Sequence, residues 1–325
     1  MAANMDDTNL SSARDSDFSH RHIRKVSRTS RRVSLGSIWY FLKQRVLYDF
    51  LLYPYARSVH RRVVQSAERS QAHTYTSFYR SPDQLDALVS QVIPRFAARA
   101  KAEKRPVSIN VVACSTGAEA YTIASEIIDK CPGIDFRIQA SDLHEHTVAQ
   151  AQSARYSRAE VFHKDGIPAE FVLRTFDRDG DELVVKKSIR DKVSFKTANL
   201  LDPDLLRSFE PADIVFAQNV FFHLYPKDAE AAFTNVLGLL KERAALFIDG
   251  TELGMKERMT READLVPLPY KLREIYSFAR RHIPARWWHY YYGAEPYFSF
   301  RPGKFRRYST IFFTRAAAQA MNSQT

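Results

Sequence analysis

The sequence predicts an α/β fold: a mostly parallel sheet with helices on both faces, preceded by an N-terminal helical segment. Three observations carry this expectation. Between Val107 and Asp249, short apolar and β-branched runs alternate with longer stretches of helical periodicity, the pattern of strands joined by crossover helices. The chain has 325 residues, enough for a core of roughly 200 residues with flanking elements. Its 45% hydrophobic and 26% charged residues match the globular average rather than a disordered or membrane-spanning chain.

Residues 1–36 are rich in Ser, Arg and Asp with few large apolar side chains. Such a segment cannot offset the entropy of ordering, so it reads as a disordered basic tail. From Ser37 the pattern changes. Trp39, Leu42, Val46, Phe50 and Tyr53 recur at spacings of three and four, with Lys43 and Arg45 off the stripe. This predicts an amphipathic helical segment over 37–72, or two helices joined near Pro54. Ile38 to Tyr55 is the nearest approach to a membrane span, but Lys43, Arg45 and Asp49 interrupt it short of the roughly 20 apolar residues needed. No secretory signal pattern precedes it. Cys114 and Cys131 are too few and too far apart for a zinc site and read as reduced thiols of a cytoplasmic protein.

The core is expected over 73–250, with strands at Val107–Ala113, Phe136–Ala140, Val193–Thr197, Asp213–Ala217 and Ala244–Ile248. Helices are expected at Ala118–Lys130, Glu145–Ala154 and Lys227–Leu240. Right-handed crossovers would bring ligands to the carboxyl ends of the strands. Residues 251–325 read as an extension, with an aromatic, basic stretch from Arg286 to Tyr297 and a final strand, Tyr308–Thr314, completing the sheet.

Two places at strand ends point to a nucleotide-type ligand. The first strand runs into Ala113, Cys114, Ser115, Thr116, Gly117, Ala118 and Glu119, a small-residue turn that lets backbone approach a ligand closely. About 25 residues on, the second strand ends at Asp142, where related folds recognise ribose hydroxyls. A tight turn without ligand, and a helix N-cap at Ser141 or Asp142, are the structural alternatives.

These blocks, with others, resemble the chemotaxis-receptor glutamate methyltransferases (CheR-type). Thr74, Thr76, Phe78, Tyr79 and Arg80 are similar to that family's Asn-x-Thr-x-Phe-Phe-Arg motif, followed by a helix with Leu85, Leu88, Val92 and Phe96. Ser115 to Tyr121 resembles Ser-Thr-Gly-Glu-Glu-Pro-Tyr, and Ala140 to Asp142 resembles Ala-Thr-Asp. Asn199, Leu200 and Leu201 match Asn-Leu-Leu, and Gln218, Asn219 and Val220 resemble Arg-Asn-Val. The resemblance covers Thr74 to about Gly250. It implies a Rossmann-like class I methyltransferase fold with S-adenosyl-L-methionine as cofactor. It also implies a pocket formed by Thr74, Thr76, Arg80, Glu119, Asp142, Asn199, Leu200, Gln218 and Asn219. Asp142 would hold the ribose, Asn199 and Leu200 the adenine edge, and Glu119 with Asn219 the methionine end.

The departures bear on the acceptor. Thr74 replaces the first Asn, Ala118 the first Glu, Gln218 an Arg, and His223 a Tyr. The resemblance implies O-methylation of a glutamate carboxylate on a protein, with Arg80 and His223 as the catalytic pair positioning it. Two alternatives remain open: methylation of a small-molecule hydroxyl or amine with His223 as base, and a non-catalytic effector that binds the cofactor. The net charge of +11, from 48 Lys and Arg against 37 Asp and Glu, favours an acidic partner. An anionic membrane surface reached through the basic N-terminus is one expectation. Nucleic acid is another, supported by the aromatic stretch, but Gln218 to Leu224 lacks the Asn/Asp-Pro-Pro-aromatic pattern of many base methyltransferases. Oligomeric state is not legible.

Overall fold

The computed structural model describes residues 76–162, 166–202, 204, 209–281 and 305–322. The basic tail, the segment 37–72, Thr74 and the stretch Arg286 to Tyr297 lie outside these residues.

The first helix, α1, starts as Pro82–Ala87, widens to a π turn at Leu88–Val92 and continues as Ile93–Ala102. Pro94 accounts for the widening. Proline has no N–H to donate and its ring collides with the carbonyl four residues back, so the helix takes in an extra residue there. Leu85, Leu88, Val92 and Phe96 are all buried, as their spacing predicts.

The elements that follow are β1 (Val107–Val112), α2 (Ala118–Lys130), β2 (Phe136–Asp142) and α3 (Glu145–Ser153). Next come β3 (Arg155–Ser157), α4 (Ala169–Thr175), β4 (Phe176–Asp179), β5 (Glu182–Val185) and β6 (Val193–Thr197). The chain continues through β7 (Ala212–Gln218), α5 (Pro226–Gly238), β8 (Leu240–Asp249) and α6 (Leu253–Glu262). The last elements are β9 (Val266–Pro267), α7 (Leu272–Arg281), β10 (Ile311–Phe313) and α8 (Arg315–Asn322).

The main sheet has the order β6-β2-β1-β7-β8-β10-β9. Pairing is parallel from β6 to β8, and β10 runs antiparallel to both its neighbours. The order reverses between β1 and β7, so a crevice opens beyond their carboxyl ends.

Both faces of the sheet are apolar, and the two-residue period of the strands divides them. Ile214 and Phe216 of β7 join one core with Phe96, Ile123, Ile127 and Phe247. Val215 and Ala217 join the other with Phe233, Val236, Leu246 and Phe312. Every residue of β7 is buried, and each large apolar side chain so placed contributes about 1.5–3 kcal/mol. β8 begins at Leu240, four residues earlier than expected, because the run Lys241, Glu242 and Arg243 hides the strand from a hydrophobicity reading.

A second sheet, ordered β3-β5-β4 and antiparallel, was not legible in the sequence. Its strands are three or four residues long, and Arg155, Asp179 and Glu182 are exposed on them, so no periodicity accumulates. It is nonetheless tied to the crevice. The ring of Phe78 meets Tyr156 of β3 at 4.8 Å and Phe176 of β4 at 5.0 Å, both edge-on. The Tyr156 hydroxyl donates to the Thr116 carbonyl at 2.5 Å.

The opposite, amino end of the sheet is held by charge. Asp213 on β7 is fully buried and accepts from Arg105 at 2.5 and 2.8 Å, from the Ser108 N–H at 2.9 Å and from Lys241 at 3.3 Å. Burial would raise its carboxyl pKa, but bonds to Arg105 and Ser108 outweigh it and hold the group below its ordinary value. A carboxyl lowered on folding contributes stability above its unfolded pKa of about 3.9, lost as pH falls through the folded value. Asp213→Asn should therefore cost about 3 kcal/mol at pH 7, the low end for breaking a buried pair because its partners can reach water. In urea melts the difference from the parent should narrow as pH falls below about 3.9; a gap that is constant with pH would contradict this.

Candidate functional site

The crevice is built from three segments that meet beyond β1 and β7. The leading segment, Thr76 to Ser81, is fixed by its apolar members. Phe78 is buried against the small sheet, and the Tyr79 N–H donates to the Thr122 hydroxyl of α2 at 3.1 Å. Thr76 and Arg80 stay half-buried. The second segment is the turn from Ala113 to Glu119. The third is the end of β7, Gln218 to His223.

Backbone strain concentrates here. Tyr79, Ser81, Ala113, Ser115 and Asn219 all have φ between 51° and 55°, the left-handed region that side chains other than glycine enter at a cost. Five such residues around one crevice mark a place where geometry is held against local preference.

Arg80 and Asn219 form the centre. The Asn219 amide, oriented with its oxygen toward Arg80, accepts from Nη2 at 2.7 Å and from Nη1 at 2.9 Å. The guanidinium keeps further donors for a ligand. A small cavity adjoins Arg80, lined by Gln84, Glu119, Thr122, Phe216 and Gln218 among others. Burial pushes the Glu119 carboxyl up to about 7, against the pull of the Arg80 charge. The pocket thus holds a cation beside an acid that is half-ionised near neutrality.

Other expected residues have protein partners. Asp142 is buried and accepts from the Ser115 N–H at 2.8 Å, the His144 N–H at 3.2 Å and the Thr147 hydroxyl at 3.0 Å. Its carboxylate therefore locks the turn to the start of α3. Asn199 is exposed, with its side-chain oxygen accepting from the Leu201 N–H at 2.9 Å. Leu200 belongs to the second core. Gln218 donates to Gln84 at 2.8 Å, and Gln84 donates to Thr310 at 2.9 Å, a buried amide relay beneath the cavity. His223 ends a 3-10 turn, Phe221–His223, with its ring 4.0 Å from that of Phe222. Gly117 turns out to be required by packing: a Cβ there would stand 2.9 Å from that of Ala151 and 3.0 Å from the Phe195 ring.

Gln84 was missed in the sequence. The signal was present, since Gln84 lies four residues before Leu88 on the same buried stripe and is itself buried. A polar residue at a core position is the more informative observation.

Gly250 is held for a different reason from most glycines. It has φ 61°, and a Cβ would stand 2.7 Å from the Asn219 Cα, so neither conformation nor space admits a side chain. Gly180 has the same φ, but nothing lies within 4 Å of its would-be Cβ. Gly180→Ala should cost about 1–2 kcal/mol, the conformational part alone, and Gly250→Ala should cost more than that in denaturant unfolding. Equal losses would mean that the contact with Asn219 imposes no constraint.

Comparison with known proteins bears on this arrangement. Residues 74–268 match the family described as CheR methyltransferase, SAM binding domain. A Pseudomonas putida protein described as "Probable biofilm formation methyltransferase WspC" is 31% identical over 206 residues, covering 61% of this chain and 47% of that protein. A chemotaxis protein methyltransferase of Listeria monocytogenes is 24% identical over 54% of this chain and 64% of its own length. The chain spans about half the length of the first of these relatives. The solved magnesium protoporphyrin IX methyltransferase of Synechocystis aligns at TM-score 0.35 and 13% identity, over 74% of this chain and 90% of that one, a likeness too slight to weigh. With the family match covering well over half of the chain and centred on the crevice, the protein belongs to the CheR methyltransferases, as a bearer of their S-adenosylmethionine-binding domain.

Proposed function

We propose that the protein transfers a methyl group from S-adenosylmethionine to a carboxylate on another protein. The observation that supports this most is the pairing of Arg80 with Asn219 beside Glu119, a cation and an acid at the reversal point of the sheet. The cofactor has a diol, a purine edge and an amino-acid end, and the residues fit each. Asp142 has three of its roughly four acceptor sites filled, so it can take one ribose hydroxyl directly and a second in exchange for the His144 N–H, its longest bond. Asn199 and Leu200 stand beside it on the next strand end. Glu119 would bind the ammonium, Arg80 and Asn219 the carboxylate end, with Thr76 and Gln218 on the walls and Thr74 just outside the described residues.

When bound, the cofactor supplies a methyl carbon made electrophilic by its positive sulfur. The protein has chiefly to hold donor and acceptor in line and exclude water. A carboxylate acceptor is already ionised at neutral pH and needs no base. Arg80 and His223, at adjoining ends of the leading segment and β7, are suited to orient it. His223 would act as a base only for a hydroxyl or amine.

The charge balance supports an acidic partner. Between Arg21 and Arg69 the sequence carries twelve Lys or Arg against Asp49 and Glu68, enough to draw the protein toward an anionic membrane at about 1 kcal/mol per residue near the surface. Among the described residues no helix is long and apolar enough to cross a membrane. Salt-sensitive co-sedimentation with anionic but not neutral vesicles is expected; equal recovery with both would remove this role from the tail.

Two measurements test the catalytic proposal. Incubating the purified protein with methyl-labelled cofactor and cell lysate should label protein with a group that alkali releases as methanol, the behaviour of a methyl ester. Alkali-stable label would point to a hydroxyl or amine acceptor, and no label to the effector reading. Cofactor affinity should also depend on Glu119. Its ionised form binds the ammonium, so below about pH 7 binding must expel a proton and affinity should fall, by up to tenfold per pH unit. Glu119→Gln should weaken binding at pH 8 by about 1.5–3 kcal/mol and flatten that limb. An unchanged profile would remove Glu119 from the ammonium site.

A further inference from the structure

Tyr156, the middle residue of β3, is 1% exposed, and its two ends lead to opposite sides of the crevice. Its hydroxyl donates to the Thr116 carbonyl at 2.5 Å. Its ring lies edge-on to that of Phe78, with centroids 4.8 Å apart. Burial pushes the hydroxyl well above its ordinary pKa, so it stays protonated and remains a donor.

Each contact leads on to a charged residue. Thr116 lies between Ser115 and Gly117, both with positive φ. The start of this turn is fixed from β2: the Ser141 carbonyl accepts from the Cys114 N–H, and the Asp142 carboxylate from the Ser115 N–H, both at 2.8 Å. Its end runs into the first turn of α2, where Glu119 lies. The bond from Tyr156 sets the plane of the Thr116–Gly117 peptide that leads there. On the other side, Phe78 is two residues before Arg80. Arg80 stands between Tyr79 and Ser81, both left-handed, so local preference does not place it; the contacts of its neighbours do. Phe78 packs against Tyr156 and against Phe176 of β4, and the Tyr79 ring lies 5.0 Å from that of Phe171 on α4. All three partners belong to the chain between α3 and β6, which carries the small sheet.

We propose that Tyr156 is a positioning residue for the amino-acid end of the cofactor. Its hydroxyl sets the start of α2 and so Glu119, its ring sets Phe78 and so Arg80, and the small sheet thereby fixes the two charges relative to each other. The proposal rests on the reading that Arg80 and Glu119 hold that end. The ribose side has supports of its own, because Asp142 is held by Ser115, His144 and Thr147, bonds that do not pass through Tyr156. Disturbing Tyr156 should therefore loosen the grip on the amino-acid end and spare the grip on adenosine.

Two ligands separate these ends: S-adenosylhomocysteine has both, whereas 5′-methylthioadenosine lacks the ammonium and the carboxylate. Their affinities for the full chain are measured by titration calorimetry at about pH 8, where Glu119 is mostly ionised. The parent should bind S-adenosylhomocysteine at least about tenfold more tightly than 5′-methylthioadenosine. Tyr156→Phe, which keeps the ring and removes the hydroxyl, should lose about tenfold in affinity for S-adenosylhomocysteine and about twofold or less for 5′-methylthioadenosine. A loss as large or larger for 5′-methylthioadenosine would overturn the proposal, since it would mean a general loosening; so would no loss for either ligand. Phe78→Leu, which removes the other contact, should show the same selective loss, and it carries the test if Tyr156→Phe does not fold. A parent that binds the two ligands alike would overturn the reading of Arg80 and Glu119, and one that binds neither would overturn the cofactor site itself; the proposal falls with either.

Discussion

Asn219 has to satisfy two demands at once, and the crevice depends on both. Its backbone must leave the buried strand β7 in a left-handed turn, with φ 55°, while its amide reaches Arg80. Neither is what an asparagine at a strand end does unaided, although asparagine tolerates that region better than most residues. The conformation is held from β8, by the Asp249 carbonyl and by the absence of a side chain at Gly250. The guanidinium is held from the other side, by Phe78 packed into the small sheet and Tyr79 bonded to α2. Removing any of these supports moves the same pair of groups.

The two ends of the sheet divide the work. At the amino end, both Asp213 oxygens are met by Arg105, Ser108 and Lys241. At the carboxyl end, polar groups are left with spare capacity: the Arg80 donors, a Glu119 acid near 7 and the Thr251 hydroxyl. A stable protein tolerates such groups only where a rigid frame supports them, and they are where ligands bind. The two apolar cores sandwiching β7 provide that frame.

Much of this was legible from the sequence because the parallel strands are continuous apolar runs at regular intervals. The five expected strands all exist, and α2 has the bounds its pattern predicts. Asp142, Asn199 and Asn219 fall at strand ends, and Glu119 in the first turn of the helix that follows β1. What escaped was short or depended on packing. The small sheet has strands too brief to show a period. Gln84 was concealed among leucines and valines, although it lies under the cavity. Lys256 looks like any charged helix residue until α6 docks, and only then is it seen to be buried. Gly117, in the turn read as approaching a ligand, also makes room for Ala151 and Phe195, which no sequence pattern shows.

The central claim is that Arg80, Asn219 and Glu119 form one polar site for the amino-acid end of the cofactor, with Asp142 at the ribose. A crystal structure of the protein grown with S-adenosylhomocysteine tests it most directly. The account predicts the ligand's carboxylate within hydrogen-bond distance, about 2.7–3.2 Å, of Arg80 or Asn219, its ammonium against Glu119, and a ribose hydroxyl on Asp142. A ligand seated elsewhere, or one in this crevice with Glu119 and Arg80 turned toward each other and away from it, would contradict the account.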